Sequence, residues 1–322
     1  MNTRLSDEAI EVGKVVSESI AAAGGLDLLR RAVAEPSVRE EAGGLLAGIG
    51  VWELDPLADR VELEVAASVC RAAGHFAVPY PVAERLGRRG DAGASMLVAQ
   101  TAPRVAMHAD LDLEWSAIDL CGQTYRVVAV APELIGSHLA PFGARVDVAS
   151  EGSADPLGAA LLVTLQSWWL LGLLEHAMTD TVQYTREREQ FGSPLIRFQA
   201  VGFGLADMSV ATTSLAELAK YTLWSVGQRD GAESALTDAL GLRAAALSAA
   251  DVVLRGAHQF HGAMGFTDEV GVSWLSRASH AVRRLPEGEH RTRGLLTELI
   301  ERHGWEPYGR VRSVAPVADR VT

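Results

Sequence analysis

Apolar positions recur at helical spacing through the first ninety residues. Ile10, Gly13, Val16 and Ile20 follow a Ser6-Asp7-Glu8 start, where Ser6 is placed to cap a helix and two acids sit in its first turn. Gly24-Gly25 predicts a break into a second short helix, and Pro36 and Pro56 punctuate others. From Val61 to Ala73 the residues Leu63, Ala66, Cys70 and Ala73 share one face. Gly74 predicts its end, and Pro79-Tyr80-Pro81 an extended exit. Between 95 and 150 the period changes. RVAMHADL, WSAIDL and YRVVAVAP alternate or run apolar, with Gly122-Gln123 as a turn, which predicts four to six short strands. A β unit this small must pack on the helices. From Pro156 the helical period returns, with helices over about 156–189, 196–228, 232–262 and 269–282. A turn at Pro286 leads to a last helix ending near Gly304. In the second of these, Phe198, Val201, Leu205, Met208, Thr212, Leu215 and Ala219 fall at 3–4 spacing.

The plan is therefore mainly α. An N-terminal helical domain (1–92) precedes a reduced small β domain (93–155), a C-terminal four-helix bundle (156–305) and a loose tail (306–322). No internal repeat is visible. The run Leu157–Leu174 has the length of a membrane span, but it holds Thr164, Gln166 and Ser167. Asp155 and Glu175 flank it and no cationic anchor is near, so it reads as a buried core helix.

Composition narrows the function classes. Of 322 residues, 48% are hydrophobic and 22% charged, enough to bury a large core. A net charge of −12 argues against a nucleic-acid surface. The two cysteines, Cys70 and Cys121, form no CxxC pair and supply neither a zinc site nor a disulfide framework. The N-terminus lacks the apolar stretch of a signal peptide. Together these predict a cytoplasmic protein with no membrane partner.

Two segments carry candidate chemistry. The first is Tyr184-Thr-Arg-Glu-Arg-Glu-Gln-Phe-Gly192, then Ser-Pro-Leu-Ile-Arg-Phe-Gln199 and Leu205-Ala-Asp-Met208. The second is Gln259-Phe-His-Gly-Ala-Met-Gly-Phe-Thr-Asp-Glu269. A helix ending in Arg188 and a Phe-Gly turn offers a cation and free backbone groups to a diphosphate. Phe191 can pack on an aromatic ligand edge, Gln190 and Gln259 offer amides, and Gly262 with Ala263 leaves room for close approach. Taken singly, Arg188 reads as a solvated helix end. Phe191 and Phe198 read as core residues, Gln259 and His261 as a capping pair, and Gly262 and Gly265 as a helix cap and turn.

Jointly, the two segments resemble the acyl-CoA dehydrogenase signatures, and GHFAVPYPVAERL (74–86) resembles that family's exit from its N-terminal helices. The resemblance implies the acyl-CoA dehydrogenase fold and an FAD cofactor. It implies that Arg188, Gln190, Phe191, Leu195, Phe198, Gln259, Gly262 and Ala263 clamp the FAD held mainly by a neighbouring subunit. It also implies an acyl-CoA substrate, dehydrogenated at its α and β carbons, and an electron-transfer flavoprotein as acceptor. Ala263 departs from the family's second Gly.

Other departures concern the chemistry. The family's base is a carboxylate held in an apolar, flavin-roofed pocket, often in a turn that follows an Arg-Asp pair. Here Arg277 is followed by Ala278, and the turn reads Leu285-Pro-Glu-Gly-Glu289. Glu287 resembles the base, although strict counting from Arg277 falls on Pro286. Glu287 also reads as a turn acid among Arg283, Arg284 and Arg291. In relatives whose base precedes the long apolar helix, the matching stretch is Gly158–Val163, without a carboxylate; Asp155 lies at its edge. The flavin loop of the family's middle domain is missing between 95 and 155. Arg104, His108, Trp115 and Tyr125 are the polar or stacking residues there. A kept cross-subunit clamp and a lost in-subunit site imply the short subunit of a heteromer with a full-length acyl-CoA dehydrogenase subunit. Such pairs resemble those of bacterial steroid side-chain β-oxidation. The alternatives are a self-sufficient homo-oligomeric dehydrogenase with Glu287 as base, or a non-catalytic helical scaffold or acyl-CoA-binding subunit.

Overall fold

The first helix, α1 (Asp7–Ala22), begins where the Ser6 hydroxyl accepts from Ala9 N–H. Gly24 and Gly25 both take positive φ and turn the chain into α2 (Asp27–Ala34). Two more helices follow, α3 (Val38–Ala47) and α4 (Arg60–His75), the latter capped by Asp59, which accepts from Val61 and Glu62 N–H. A short α5 (Val82–Leu86) leaves the Pro79-Tyr80-Pro81 corner. This computed structural model describes residues 3–134, 137, 140–228 and 231–303. The expected tail, 306–322, lies outside the described residues.

Five strands follow: β1 (Ala94–Leu97), β2 (Val105–Met107), β3 (Trp115–Ile118), β4 (Gln123–Leu134) and β5 (Gly143–Ala154). They make one sheet in the order β1-β3-β4-β5-β2, parallel between β1 and β3 and antiparallel elsewhere. Met96, Ala106, Ala117 and Val146 form a small core of their own. Such a core cannot hold five strands, and an ion pair helps pin the sheet to the helices. Arg39 of α3 reaches Asp110 in a two-pronged contact of 2.8 and 2.5 Å. Its guanidinium also lies over Phe142 at 5.1 Å.

The long helix α6 (Pro156–Glu187) opens with Pro156 in its first turn, and its Asp155 cap accepts from Gly158 N–H at 2.8 Å. Of its most apolar window, 83% is buried inside the fold, so it is the central core helix. Its packing on α4 corrects the expectation for Gly74. The helix runs past Gly74 to His75. A Cβ there would meet Trp169 O at 1.8 Å, and one on Gly172 would meet Arg71 O at 1.9 Å. Each helix puts a glycine against the other's backbone.

Arg188 is extended and ends α6 just before the expected boundary. A tight hairpin follows, β6 (Glu189–Gln190) against β7 (Ser193–Pro194), then α7 (Gln199–Gly227) and α8 (Ala232–His261). The chain closes with α9 (Gly271–Arg284) and α10 (Glu289–His303). Helices α6, α7 and α8 run up, down and up. The C-terminal ends of α6 and α8 therefore share one end of the bundle with the N-terminus of α7. The architecture is mainly α with a small sheet, the arrangement that the resemblance implies.

Candidate functional site

The two motif segments meet at that end of the bundle. Tyr184, in the last turn of α6, stacks on His261, the last residue of α8, with ring centroids 4.3 Å apart. The buried His261 ring engages Ala257 O at 2.8 Å, which fixes its plane. Phe260 fills the space beside Gly204, where a Cβ would lie 2.5 Å from its ring, and so joins α8 to α7.

Around this junction the side chains face outward. Arg188, Gln190, Phe191, Gln259, Gly262 and Ala263 are exposed, and Leu195 and Phe198 are half-buried. The hairpin presents Phe191 and Gly192 at its tip, both at positive φ. Phe191 is 93% exposed and touches Phe198 edge-on at 6.2 Å. A phenylalanine held in the left-handed region with its ring in solvent costs about 1 kcal/mol or more, a cost tolerated where the ring has a use. Gly262 also takes positive φ, and a Cβ built on it would meet open space. Arg188 has no ion-pair partner among the described residues. Free backbone donors come less from the Phe-Gly turn than from α7, which opens without a side-chain cap. One cation, one uncapped helix N-terminus, two amides and an exposed ring suit a diphosphate joined to an aromatic base. These residues fit FAD from one side.

A second region is a cavity of about 320 Å³ between α2, the Pro79-Tyr80-Pro81 corner, the sheet, α6 and α9. Its wall is mostly apolar and aromatic, with Tyr80, Phe142, Trp169 and Trp274. Several polar side chains interrupt it, Ser137 and Arg277 among them, and three more are enclosed by protein. Glu84, on α5, accepts from Gln166 Nε2 at 2.8 Å. Glu84 keeps some surface open to the cavity yet is enclosed by protein, and burial pushes its carboxyl above the usual carboxylate range; the Gln166 bond opposes this. Gln166 Oε1 and His108 Nδ1 are both enclosed without hydrogen-bond partners. His108 is stacked on Phe142 at 5.1 Å. Burial, then the Arg39 charge, lowers its pKa to about 3, so the ring is neutral.

Glu287 does not line this cavity; Leu285 and Pro286 do. Its Oε2 lies 3.6 Å from Arg291 Nε and has no hydrogen bond. Its main chain is held from behind by Arg243, which donates to the carbonyls of Val282, Leu285 and Glu287. The structure thus seats Glu287 as a turn acid among arginines. Asp155 is occupied as the α6 cap and pairs with Arg89 at 3.0 Å. Arg277 pairs with Asp268 and stacks over Trp274 at 4.0 Å, at the cavity edge. Within the sheet region, Arg104 donates to Ala99 and Gln100 carbonyls, Trp115 to Leu111 O and Tyr125 to Asp119, while His108 reaches the cavity. Glu84 and Gln166 are cavity-wall residues that the sequence reading did not single out. The signal was present in a carboxylate just after a Pro-Tyr-Pro corner, and in an amide inside an apolar helix.

Residues 164–291 match the family model described as acyl-CoA dehydrogenase, C-terminal domain. The short-chain specific acyl-CoA dehydrogenase of Megasphaera elsdenii is 30% identical over 132 residues, 39% of this chain and 32% of that one. The match thus spans about a third of that relative's length. Among solved structures, a variant of the Tcur3481–Tcur3483 steroid ACAD superposes with a TM-score of 0.72 at 16% identity, over 92% of this chain and 98% of that one. The ChsE4–ChsE5 complex of Mycobacterium tuberculosis gives 0.71 at 16% identity, over 94% and 99%. The chain thus has the acyl-CoA dehydrogenase fold, and its residues 164–291 are similar to the C-terminal domain of that family.

Proposed function

We propose that this chain is one subunit of a heteromeric, FAD-dependent acyl-CoA dehydrogenase, in which it supplies the clamp that closes over FAD held by a full-length partner. One observation carries the reading. The clamp residues are assembled at one end of the bundle and left facing outward, with Phe191, Phe203 and Phe266 93%, 63% and 75% exposed. Exposed aromatic rings beside a cation mark a surface that another chain or ligand covers. Arg188 would hold the diphosphate. Gln190, Gln259 and the open backbone at Gly262 would position the nucleotide, and Phe191 would exclude water from it. FAD bound there supplies the hydride acceptor for oxidation of an acyl-CoA thioester, and an electron-transfer flavoprotein would reoxidise it. The base comes from the partner, because Glu287 stands outside the cavity. These two solved neighbours carry paired names, and one is called a steroid ACAD, which favours unlike subunits and a bulky sterol side-chain CoA.

The test is the visible absorption spectrum of the chain purified alone and after co-expression with a full-length acyl-CoA dehydrogenase subunit. Flavin bands only in the co-expressed sample, lost with Arg188→Ala, are the expected result. Flavin retained by the lone chain, or a co-expressed complex that keeps its full yellow colour in Arg188→Ala, would overturn it.

A further inference from the structure

The cavity beside α5 holds a polar pair that the flavin clamp does not use. Glu84 is the one carboxylate among the described residues of its wall, and Gln166 meets it across 82 positions of sequence. An enclosed amide oxygen without a donor is costly in a folded chain, and such an atom in a cavity wall points to a ligand that brings the donor. Gln166 Oε1 is in that state.

We propose that Glu84 and Gln166 form a hydrogen-bonding subsite for a hydroxyl group carried by an otherwise apolar ligand of the cavity. The chemistry selects among polar groups. A ligand carboxylate would face Glu84. A carbonyl has no proton to give Gln166 Oε1. An ammonium would require a full ion pair inside an apolar wall, where separating both charges from water outweighs much of their attraction. A hydroxyl gives its proton to Gln166 Oε1 and accepts one from the Glu84 carboxyl, which burial holds toward its neutral form. Tyr80, Trp169 and Trp274 supply flat apolar walls for the rest of the molecule. Under the reading above, this makes the chain a selector of hydroxylated acyl groups. The inference rests on that reading only for the thioester end; the subsite serves a free alcohol equally.

The experiment titrates the full chain with 1-decanol and with 1-methoxydecane, followed by tryptophan fluorescence, since Trp169 and Trp274 stand in the wall. The ether keeps the chain and the acceptor oxygen and loses the donor. The native chain should bind the alcohol about tenfold more tightly than the ether, the effect of one net hydrogen bond. In Gln166→Met the ratio should fall to about one, with ether affinity retained; in Glu84→Met both probes should weaken together, because both carry the accepting oxygen, and the ratio should persist. Equal affinities in the native chain, or no saturable binding of the alcohol, overturns the proposal without recourse to the variants. A preference that survives in folded Gln166→Met also overturns it and moves the hydroxyl to His108, and so does an ether affinity unchanged in folded Glu84→Met. A flavin-bearing complex with equal probe affinities would sink the subsite alone and leave the clamp standing.

Discussion

Arg243 holds Glu287 by its main chain: Nη2 donates to Glu287 O at 3.1 Å, and to Leu285 O at 2.7 Å and Val282 O at 3.2 Å. The arginine is 2% exposed, and burial lowers its pKa to about 10, with Glu287 opposing the shift. One guanidinium thus satisfies the last carbonyls of α9 and sets the turn that follows. Arg243→Met should cost about 2–4 kcal/mol, since it leaves three inward carbonyls unpaired. Urea unfolding measures it. Arg243→Lys keeps the charge but lacks the planar fork and should recover less than half the loss.

That contact also shows where sequence reading stops. The C-terminal helices and the two motif segments were legible because their signals are local: a 3.6 period, a Phe-Gly turn, a Gln-x-His-Gly end. Glu287 looked like a base because it sits beside a glycine in the right turn. Its orientation depends on Arg243, 44 positions away, which no local pattern reveals. The same holds for Glu84 and Gln166. Gln166 was visible only as a polar interruption that argued against a membrane span. Gly74 was read as a helix stop because glycine ends helices; tertiary packing on Trp169 gave it another task.

That packing is testable. Gly74→Ala and Gly172→Ala each place a methyl carbon within 1.9 Å of a backbone oxygen on the other helix. Backbone cannot swing aside as a side chain can, so α4 and α6 must separate. Each change should cost about 3 kcal/mol or abolish soluble expression, despite alanine's better helix propensity. Gly241→Ala, where a Cβ meets open space within α8, is the control and should be neutral or stabilising by up to about 1 kcal/mol in thermal melts.

Acid should weaken the fold through His108. Its pKa falls from 6.5 in the unfolded chain to about 3 in the folded one. The unfolded state therefore binds the extra proton first as pH drops. The stability from the neutral ring is complete above pH 6.5 and is lost as pH falls from there toward 3. His108 takes a positive φ, a conformation asparagine tolerates, so His108→Asn removes the titration without new strain. Between pH 6 and 4 the native chain should lose stability faster than the variant, by about 1.4 kcal/mol per pH unit. Parallel slopes in urea titrations would refute the assignment.

Phe191 separates binding from folding. The residue gives up little to the core, since it is 93% exposed and its one ring contact among the described residues is Phe198 at 6.2 Å. Its φ of 54° suits glycine better than phenylalanine. Phe191→Gly should therefore leave the melting free energy within about 1 kcal/mol of native, the relief of the left-handed backbone offsetting the lost contact. If the ring shields the diphosphate of FAD in the assembled complex, the same change should weaken flavin retention about fivefold to tenfold, read by the absorbance that passes a desalting column. A variant that melts like the native chain and keeps all of its flavin would remove Phe191 from the clamp. One that loses flavin only in proportion to lost structure would make it a folding residue.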